Sequence, residues 1–227
     1  MSWPRATLPK PLPREPLNTV IRWQSDAASR RVQPNPNAMA LATVDAHGHP
    51  DVRIVLCKEI VPKPGYITFY TNYESRKGRE LQAVPHAAVV MHWDALHRQV
   101  RIAGPVARTS DADSDSYFAS RHWQSRVGAW ASEQSRPIHS RAALMAAFGN
   151  VAKRFGLPKS GDAHAGDPGI AIPRPPHWGG YRLWAQSVEL WAEGDARLHD
   201  RAQWTRTLTA ADGGFDCGTW SVTRLQP

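Results

Sequence analysis

The sequence predicts an α+β protein that is mainly β, an antiparallel barrel with helical decoration. Between residues 38 and 109, short runs rich in β-branched and aromatic residues are separated by Gly/Pro punctuation. Over residues 111–155 the alternation is lost, and Ala, Ser, Arg and Leu fall at helix-compatible spacings. From residue 178 onward strand-like runs return and continue to the C-terminus.

Composition agrees. A chain of 227 residues can bury a sizeable core, and 41% hydrophobic residues with ten Trp favour a packed globule, while 19 Pro and 16 Gly promise many loops. The opening stretch, MSWPRATLPKPLPREP, holds Pro4, Pro9, Pro11, Pro13 and Pro16. Residues 1–15 therefore read as an extended, flexible arm, and residues 16–227 as one domain. From Pro16, the spacing of Leu17, Val20, Ile21, Ala27 and Ala28 predicts a helix closed by Pro34 and Pro36. AMALATVD, DVRIVLCKEI, YITFYTN, HAAVVMHWD and HRQVRIAGPVART then predict an antiparallel meander, with DALH as a tight link. GRELQAV predicts a short helix after the third run, and residues 111–155 predict two or three more. GLPKSGDAHAGDPGIAIPRPP is a long flexible loop. WGGYRLWAQSVELWAEG, RLHDRAQWTRTL and TWSVTRLQP predict the return strands.

Several function classes fall away. No apolar run approaches the roughly 20 residues that span a bilayer. The N-terminus has no apolar core or small-residue cleavage site, so a cytoplasmic protein is expected. Cys57 and Cys217 form no C-x-x-C pair and the ten histidines show no metal spacing, so neither a disulfide framework nor a metal site is expected. G-x-S-x-G, G-x-G-x-x-G and Walker A loops are absent. The net charge of +8 raises the question of nucleic acid, but the cations are spread along the chain without a run of five or six. No nucleic-acid partner is expected.

Four stretches could carry chemistry. In TNYESRKGREL, Ser75-Arg76-Lys77-Gly78 follows a strand and opens a helix, where N–H groups, the helix dipole and two cations suit an anion. A solvated helix start fits that stretch as well. In RIVLCK, strict alternation sends Arg53 and Lys58 to opposite faces of a strand, so they serve different groups or reach outward from an edge. In SYFASRHWQS, Tyr117, Arg121 and Ser125 stand at i, i+4 and i+8, which makes either a phosphate clamp on one helix face or ordinary surface polarity. In RLHDR, Arg197 and His199 would share one face of a strand and could grip an anionic or phenolic oxygen, although a lone His is more often structural.

Taken in order, EPLNTVIRW, ALATVDAHGHPDVRIVLCK, FYTNYESRKGREL, RQVRIAG, SDSYFASR, QSRVGAWASEQS, WGGYRLW, VELW, RLHDR and TRLQP resemble the pyridoxine/pyridoxamine 5′-phosphate oxidase family over some 200 residues. The resemblance implies a split β-barrel with peripheral helices that binds FMN at the interface of a homodimer. It implies FMN contacts at Arg53, Ile54, Val55, Leu56, Cys57, Lys58, Tyr70, Thr71, Arg76, Lys77, Gln99, Gln134, Ser135, Trp191 and Arg201. For the substrate it implies a phosphate clamp of Lys58, Tyr117, Arg121 and Ser125, with Arg197, Leu198 and His199 covering the pyridine ring and Arg197 and His199 in the catalytic role. The implied reaction moves a hydride from C4′ of pyridoxine or pyridoxamine 5′-phosphate to the flavin, and oxygen then takes the electrons and yields peroxide. A related phenazine-pathway flavin oxidase, or a binding protein without turnover, would share the fold.

Four departures stand out against the family pattern. Cys57 replaces a usual leucine, and His122 a common proline. The loop 157–172 is longer than usual. The arm lacks the arginine- and tyrosine-bearing segment of many relatives, so no site is carried over from residues 1–15.

Overall fold

Local chemistry starts the first helix. Glu15 is extended, its carboxylate accepts the Leu17 N–H at 3.1 Å, and Pro16 takes a first-turn position where its missing N–H costs nothing. The resulting α1 (Pro16–Ser29) buries Leu17, Val20, Trp23 and Ala27 along one face. The computed structural model describes residues 7–157 and 169–227.

After α1 come β1 (Ala38–Val44), β2 (Pro50–Leu56), β3 (Glu59–Val61) and β4 (Tyr66–Asn72), then α2 (Arg76–Ala83), β5 (His86–Trp93) and β6 (Arg98–Arg108). Three helices follow, α3 (Asp111–Ala119), α4 (Trp123–Ala131) and α5 (Arg141–Arg154). The chain ends with β7 (Trp178–Trp184), β8 (Ser187–Ala192), β9 (Asp200–Thr205), β10 (Leu208–Ala211), β11 (Gly214–Cys217) and β12 (Ser221–Leu225). Single 3₁₀ turns lie at Asp94–Leu96 and Asp195–Arg197.

The chain packs as two compact units. The first comprises Met1–Phe69, Ala83–Ala107 and Arg182–Pro227, and the second Tyr70–Gln82 and Arg108–Tyr181. In the first unit an antiparallel sheet runs in the order β12-β9-β8-β6-β5-β1-β2, and β3 pairs with the start of β4 through Glu59 and Thr68. Burial alternates along β1 and β5, so Met39, Leu41, Val89 and Met91 face the core and their neighbours face outward. The second unit builds its core from Phe118, Trp123, Val127, Ala152, Leu157, Ile172 and Trp178.

The structure corrects the sequence reading at several points. DVRIVLCKEI is not one strand: β2 stops at Leu56, because the Cys57 peptide turns aside to bond Asn37 at both its N–H and its carbonyl, each at 2.9 Å. Alternation therefore does not run through to Lys58, and the face argument for Arg53 and Lys58 does not apply. RLH is not strand either, since Ala196 and Arg197 adopt left-handed backbone with φ of 52° and 63°, and β9 begins only at Asp200.

SYFASRHWQS is two helices rather than one. Ser120 ends α3, and His122, with φ of −53°, caps α4 by accepting the Gln124 N–H at Nδ1. That φ lies where a proline would hold it, so the histidine keeps the break and supplies a cap. The Asp212-Gly213 turn, with Gly213 at φ 71°, joins β10 to β11 in a hairpin that the sequence reading passed over.

The arm also differs from a free tail. Residues 7–15 carry no helix or strand, yet Leu8 is buried and its N–H donates to Asp200 Oδ2 at 2.9 Å. The Trp204 indole donates to the Pro13 carbonyl at 2.8 Å, and Trp220 to Glu15 Oε2 at 3.1 Å. Prolines lack N–H groups but keep their carbonyls, and a stiff segment loses little entropy when those acceptors are used. Residues 1–6 of the arm and 158–168 of the long loop lie outside the described residues.

Candidate functional site

In the second unit, the stretch after β4 builds a cationic site. Ser75 caps α2: its Oγ accepts the Gly78 N–H at 3.3 Å and donates to the Asn72 carbonyl at 2.7 Å. Lys77, in the first turn of α2, is only 8% exposed. Its Nζ donates to Thr71 Oγ1 at 3.1 Å, Ser75 Oγ at 3.2 Å and Gln134 Oε1 at 3.0 Å, and Thr71 Oγ1 donates to Gln134 Oε1 at 3.2 Å. Neutral dipoles thus hold a desolvated ammonium beside a helix N-terminus, where an anion gains most. Arg76, by contrast, is largely exposed and pairs with Glu80 at 3.0 Å along the helix. Gln134 and Ser135 are exposed, and Ser135 is left-handed at φ 71°. Their segment is tied to β4 by Gln134 and by Asn72, whose amide reaches the Ser132 carbonyl at 3.4 Å.

A second cationic site in the same unit is aromatic. Tyr70 stacks on Tyr117 at 3.9 Å between centroids and on Trp178 at 5.5 Å, while Phe118 meets Trp178 edge-on at 5.0 Å. Arg121, in the link between α3 and α4, lays its guanidinium 4.6 Å from the Trp178 centroid. Burial holds its pKa below the ordinary guanidinium value, and its Nη1 is buried without a hydrogen-bond partner among the described residues. Tyr117 and Arg121 therefore share an aromatic cluster although they do not share a helix. Ser125 stands exposed in the first turn of α4.

In the first unit, strand register creates a row. Gln99 on β6 pairs with Trp191 on β8, and Trp191 pairs with Arg201 on β9. Buried Glu189, two residues from Trp191 and so on the same face, accepts Arg201 Nε and Nη2 at 3.1 and 2.9 Å through one oxygen and Arg101 Nη1 at 3.1 Å through the other. The His199 ring lies 4.7 Å from the Trp191 ring, and its Nδ1 accepts the Gly194 N–H at 3.2 Å. Neutral His199 then carries its proton on Nε2. Arg197 and Leu198 are exposed, Leu198 by 73%.

On β2, Arg53 donates to Thr43 Oγ1, to the Leu41 carbonyl at 3.3 Å and to Asp51 at 2.6 Å, which aims it across its own sheet. Ile54 is 67% exposed and Val55 buried. Leu56 is half-buried, and Lys58 is exposed just past the strand. Buried Cys57 has its thiol pushed up to about 12 by desolvation, so it stays neutral.

Sequence reasoning missed Ser75 as a partner of Lys77, Glu189 as the carboxylate holding Arg201, and Trp178 as the platform for Arg121. Ser75 carried a readable signal, a serine three residues before an N–H it could cap. Glu189 and Trp178 carried none, because strand register and the folding of α3 and α4 place them. Among the described residues no helix is long and apolar enough to cross a membrane, and no group of three His, Cys, Asp or Glu could hold a metal ion.

Comparison with known proteins adds the following. Residues 25–154 match the family described as pyridoxamine 5′-phosphate oxidase, and residues 178–227 match the pyridoxine 5′-phosphate oxidase C-terminal dimerisation region. A pyridoxine/pyridoxamine 5′-phosphate oxidase of Paracoccus denitrificans is 46% identical over 224 residues, covering 94% of this chain and 95% of its own. One from Burkholderia vietnamiensis is 47% identical over 213 residues, covering 94% and 89%. Among solved structures, PhzG from Burkholderia lata in complex with tetrahydrophenazine-1-carboxylic acid superposes with a TM-score of 0.79 at 30% identity, covering 95% of this chain and 94% of that one. A pyridoxamine 5′-phosphate oxidase-related, FMN-binding protein from Nostoc punctiforme superposes at 0.67 with 17% identity, covering 93% and 98%, and supports the split-barrel fold alone.

Proposed function

The chain belongs to the pyridoxine/pyridoxamine 5′-phosphate oxidase family, and from that premise we propose that it oxidises pyridoxamine and pyridoxine 5′-phosphates to pyridoxal 5′-phosphate, with oxygen as acceptor and peroxide as product. The observation that carries the reading is that the second unit builds two cationic sites from different residues, one around Lys77 and one around Arg121. A phosphorylated cofactor and a phosphorylated substrate require two.

FMN, when bound, supplies the two-electron acceptor. Lys77, Thr71 and Gln134 hold its phosphate: their donor set suits a dianion and Lys77 is desolvated in advance. Arg76, Arg53, Tyr70 and Ser135 complete the cofactor contacts, with the β2 stretch Ile54, Val55, Leu56, Cys57 and Lys58. Gln99, Trp191 and Arg201 contribute from their row, in which Glu189 holds Arg201 in place. Arg121, Tyr117, Ser125 and Lys58 bind the substrate phosphate. His199 offers an Nε2–H to the ring substituent, and the exposed Arg197 and Leu198 close over it. The working unit is a homodimer. The C-terminal match to a dimerisation region supports this, as does the exposed apolar face formed by Val52 and Ile54, 63% and 67% exposed.

Purified protein tests the reading. It should be yellow or become so with FMN, and should consume oxygen on addition of pyridoxamine 5′-phosphate. A protein that cannot be loaded with FMN refutes the reading. Arg197→Ala and His199→Ala should slow flavin reduction in stopped-flow, and normal reduction would remove their role. The likeness to PhzG favours a second reading, oxidation of a reduced aromatic carboxylate. Turnover of a dihydro- or tetrahydrophenazine carboxylate without turnover of the phosphorylated amine would establish it instead.

A further inference from the structure

Arg121 holds a buried donor, Nη1, with no hydrogen-bond partner among the described residues, on a guanidinium that burial has already made less comfortable as a cation. Native proteins rarely leave such a group unsatisfied, and on a cation held over an aromatic ring it offers an outside anion a ready donor. Nor does helical backbone fix the side chain, because Arg121 follows the last turn of α3 and precedes the cap of α4. What fixes it is aromatic: the Trp178 ring at 4.6 Å and the Phe118 ring at 5.5 Å.

Trp178 is in turn held at its ring and at its backbone carbonyl. Tyr70 lies nearly parallel to its ring at 10°, Tyr117 at 8°, and Phe118 meets it edge-on. Its carbonyl accepts Arg174 Nη1 at 2.7 Å, while Arg174 Nη2 and Nε bond Asp111 at 2.7 Å and Asp115 at 2.6 Å, both on α3. The Trp178 backbone is thereby tied to the helix that carries Tyr117. The following glycines let this happen, since a Cβ on Gly180 would stand 2.8 Å from the Tyr70 ring.

We propose that Trp178 is a positioning residue for substrate affinity, holding the Arg121 guanidinium over the indole so that its Nη1 edge is kept for a phosphate monoester. The proposal rests on the oxidase reading for the identity of that ester. A guanidinium stacked by its face keeps its N–H groups in the plane of the fork, free for bidentate bonding to phosphate oxygens. Substrate discrimination follows: compounds without the phosphate gain nothing from Trp178.

The experiment uses the FMN-loaded full chain and measures binding of pyridoxal 5′-phosphate and of inorganic phosphate by calorimetry, with kcat and KM for pyridoxamine 5′-phosphate. Trp178→Leu should weaken both ligands about tenfold, the scale of a desolvated cation–π contact, and raise KM more than it lowers kcat. Trp178→Phe should regain most of the affinity. In an Arg121→Ala background, Trp178→Leu should change affinity less than about twofold, because a residue acting through Arg121 has nothing left to act on. Independent losses that multiply, or a Trp178→Phe as damaged as Trp178→Leu, overturn the proposal. If Trp178→Leu fails to fold, Trp178→Phe decides alone: a small loss present with Arg121 and absent without it supports the proposal, and no loss, or an equal loss in both, overturns it. An inactive wild type whose phosphate binding still depends on Trp178 sinks only the oxidase reading. An active wild type indifferent to Trp178 sinks only this one.

Discussion

Replacing Lys77 with Met separates a site built for an anion from one built for stability. The side chain keeps its length and loses its charge. In the absence of ligand, three hydrogen bonds to neutral oxygens disappear, but so does the cost of keeping an ammonium only 8% exposed. Ser75 retains the Gly78 N–H and the Asn72 carbonyl, and Thr71 retains Gln134, so each of these three oxygens keeps a partner. Apoprotein stability should therefore stay within about 1 kcal/mol of wild type. FMN binding should suffer more, since one charge-assisted bond to phosphate is worth about 1.5–3 kcal/mol, or roughly a 10- to 150-fold rise in Kd. At free FMN one hundred times the wild-type Kd, ligand stabilisation is about 2.7 kcal/mol; a roughly 50-fold weaker site retains about 0.6 kcal/mol. Urea melts with and without FMN, together with flavin-fluorescence titration, read both quantities. An unchanged Kd, or an apoprotein destabilised by several kcal/mol, would refute the assignment of Lys77 to the cofactor phosphate.

Three further outcomes are expected. Gly179→Ala drives a Cβ into the Tyr73 hydroxyl and within 3.0 Å of Ser114 Oγ, so it should destabilise the second unit by about 1–3 kcal/mol in thermal melts. Arg206→Met removes a guanidinium that donates to the carbonyls of Ala185 at 2.8 Å, Pro64 at 2.7 Å and Gly65 at 2.7 Å and covers the Trp220 ring; a loss of about 3 kcal/mol or more is expected in denaturant unfolding, with FMN affinity preserved in the folded fraction. Burial raises the Cys57 thiol from 9.0 to about 12, so its contribution to stability is complete below pH 9 and is lost as pH climbs toward 12. At pH 8, iodoacetamide should label Cys57 in unfolded protein and spare it in native protein, as read by mass spectrometry.

The order of elements was legible in sequence because it is written in local chemistry. Alternation marked β1 and β5, Pro16 with the apolar spacing after it marked the start of α1, and Ser75 with two cations marked the start of α2. The ordered series of family-like segments identified the family, since membership is a property of strings. Sequence could not decide whether the α2 cations were solvated or held, and the structure divides them: Lys77 turns inward to Thr71 and Gln134, while Arg76 turns outward to Glu80. Periodicity misplaced the groups proposed to face substrate because it assumes unbroken elements. Asn37 diverts the chain at Cys57, left-handed residues interrupt it at Ala196 and Arg197, and the His122 cap splits α3 from α4. Sequence alone thus determined the fold class, the family and the supply of cations. Tertiary structure decided which cation each partner holds, because Glu189 meets Arg101 and Arg201 only through strand register, and Arg121 meets Trp178 only when residues 57 apart in sequence pack into one core.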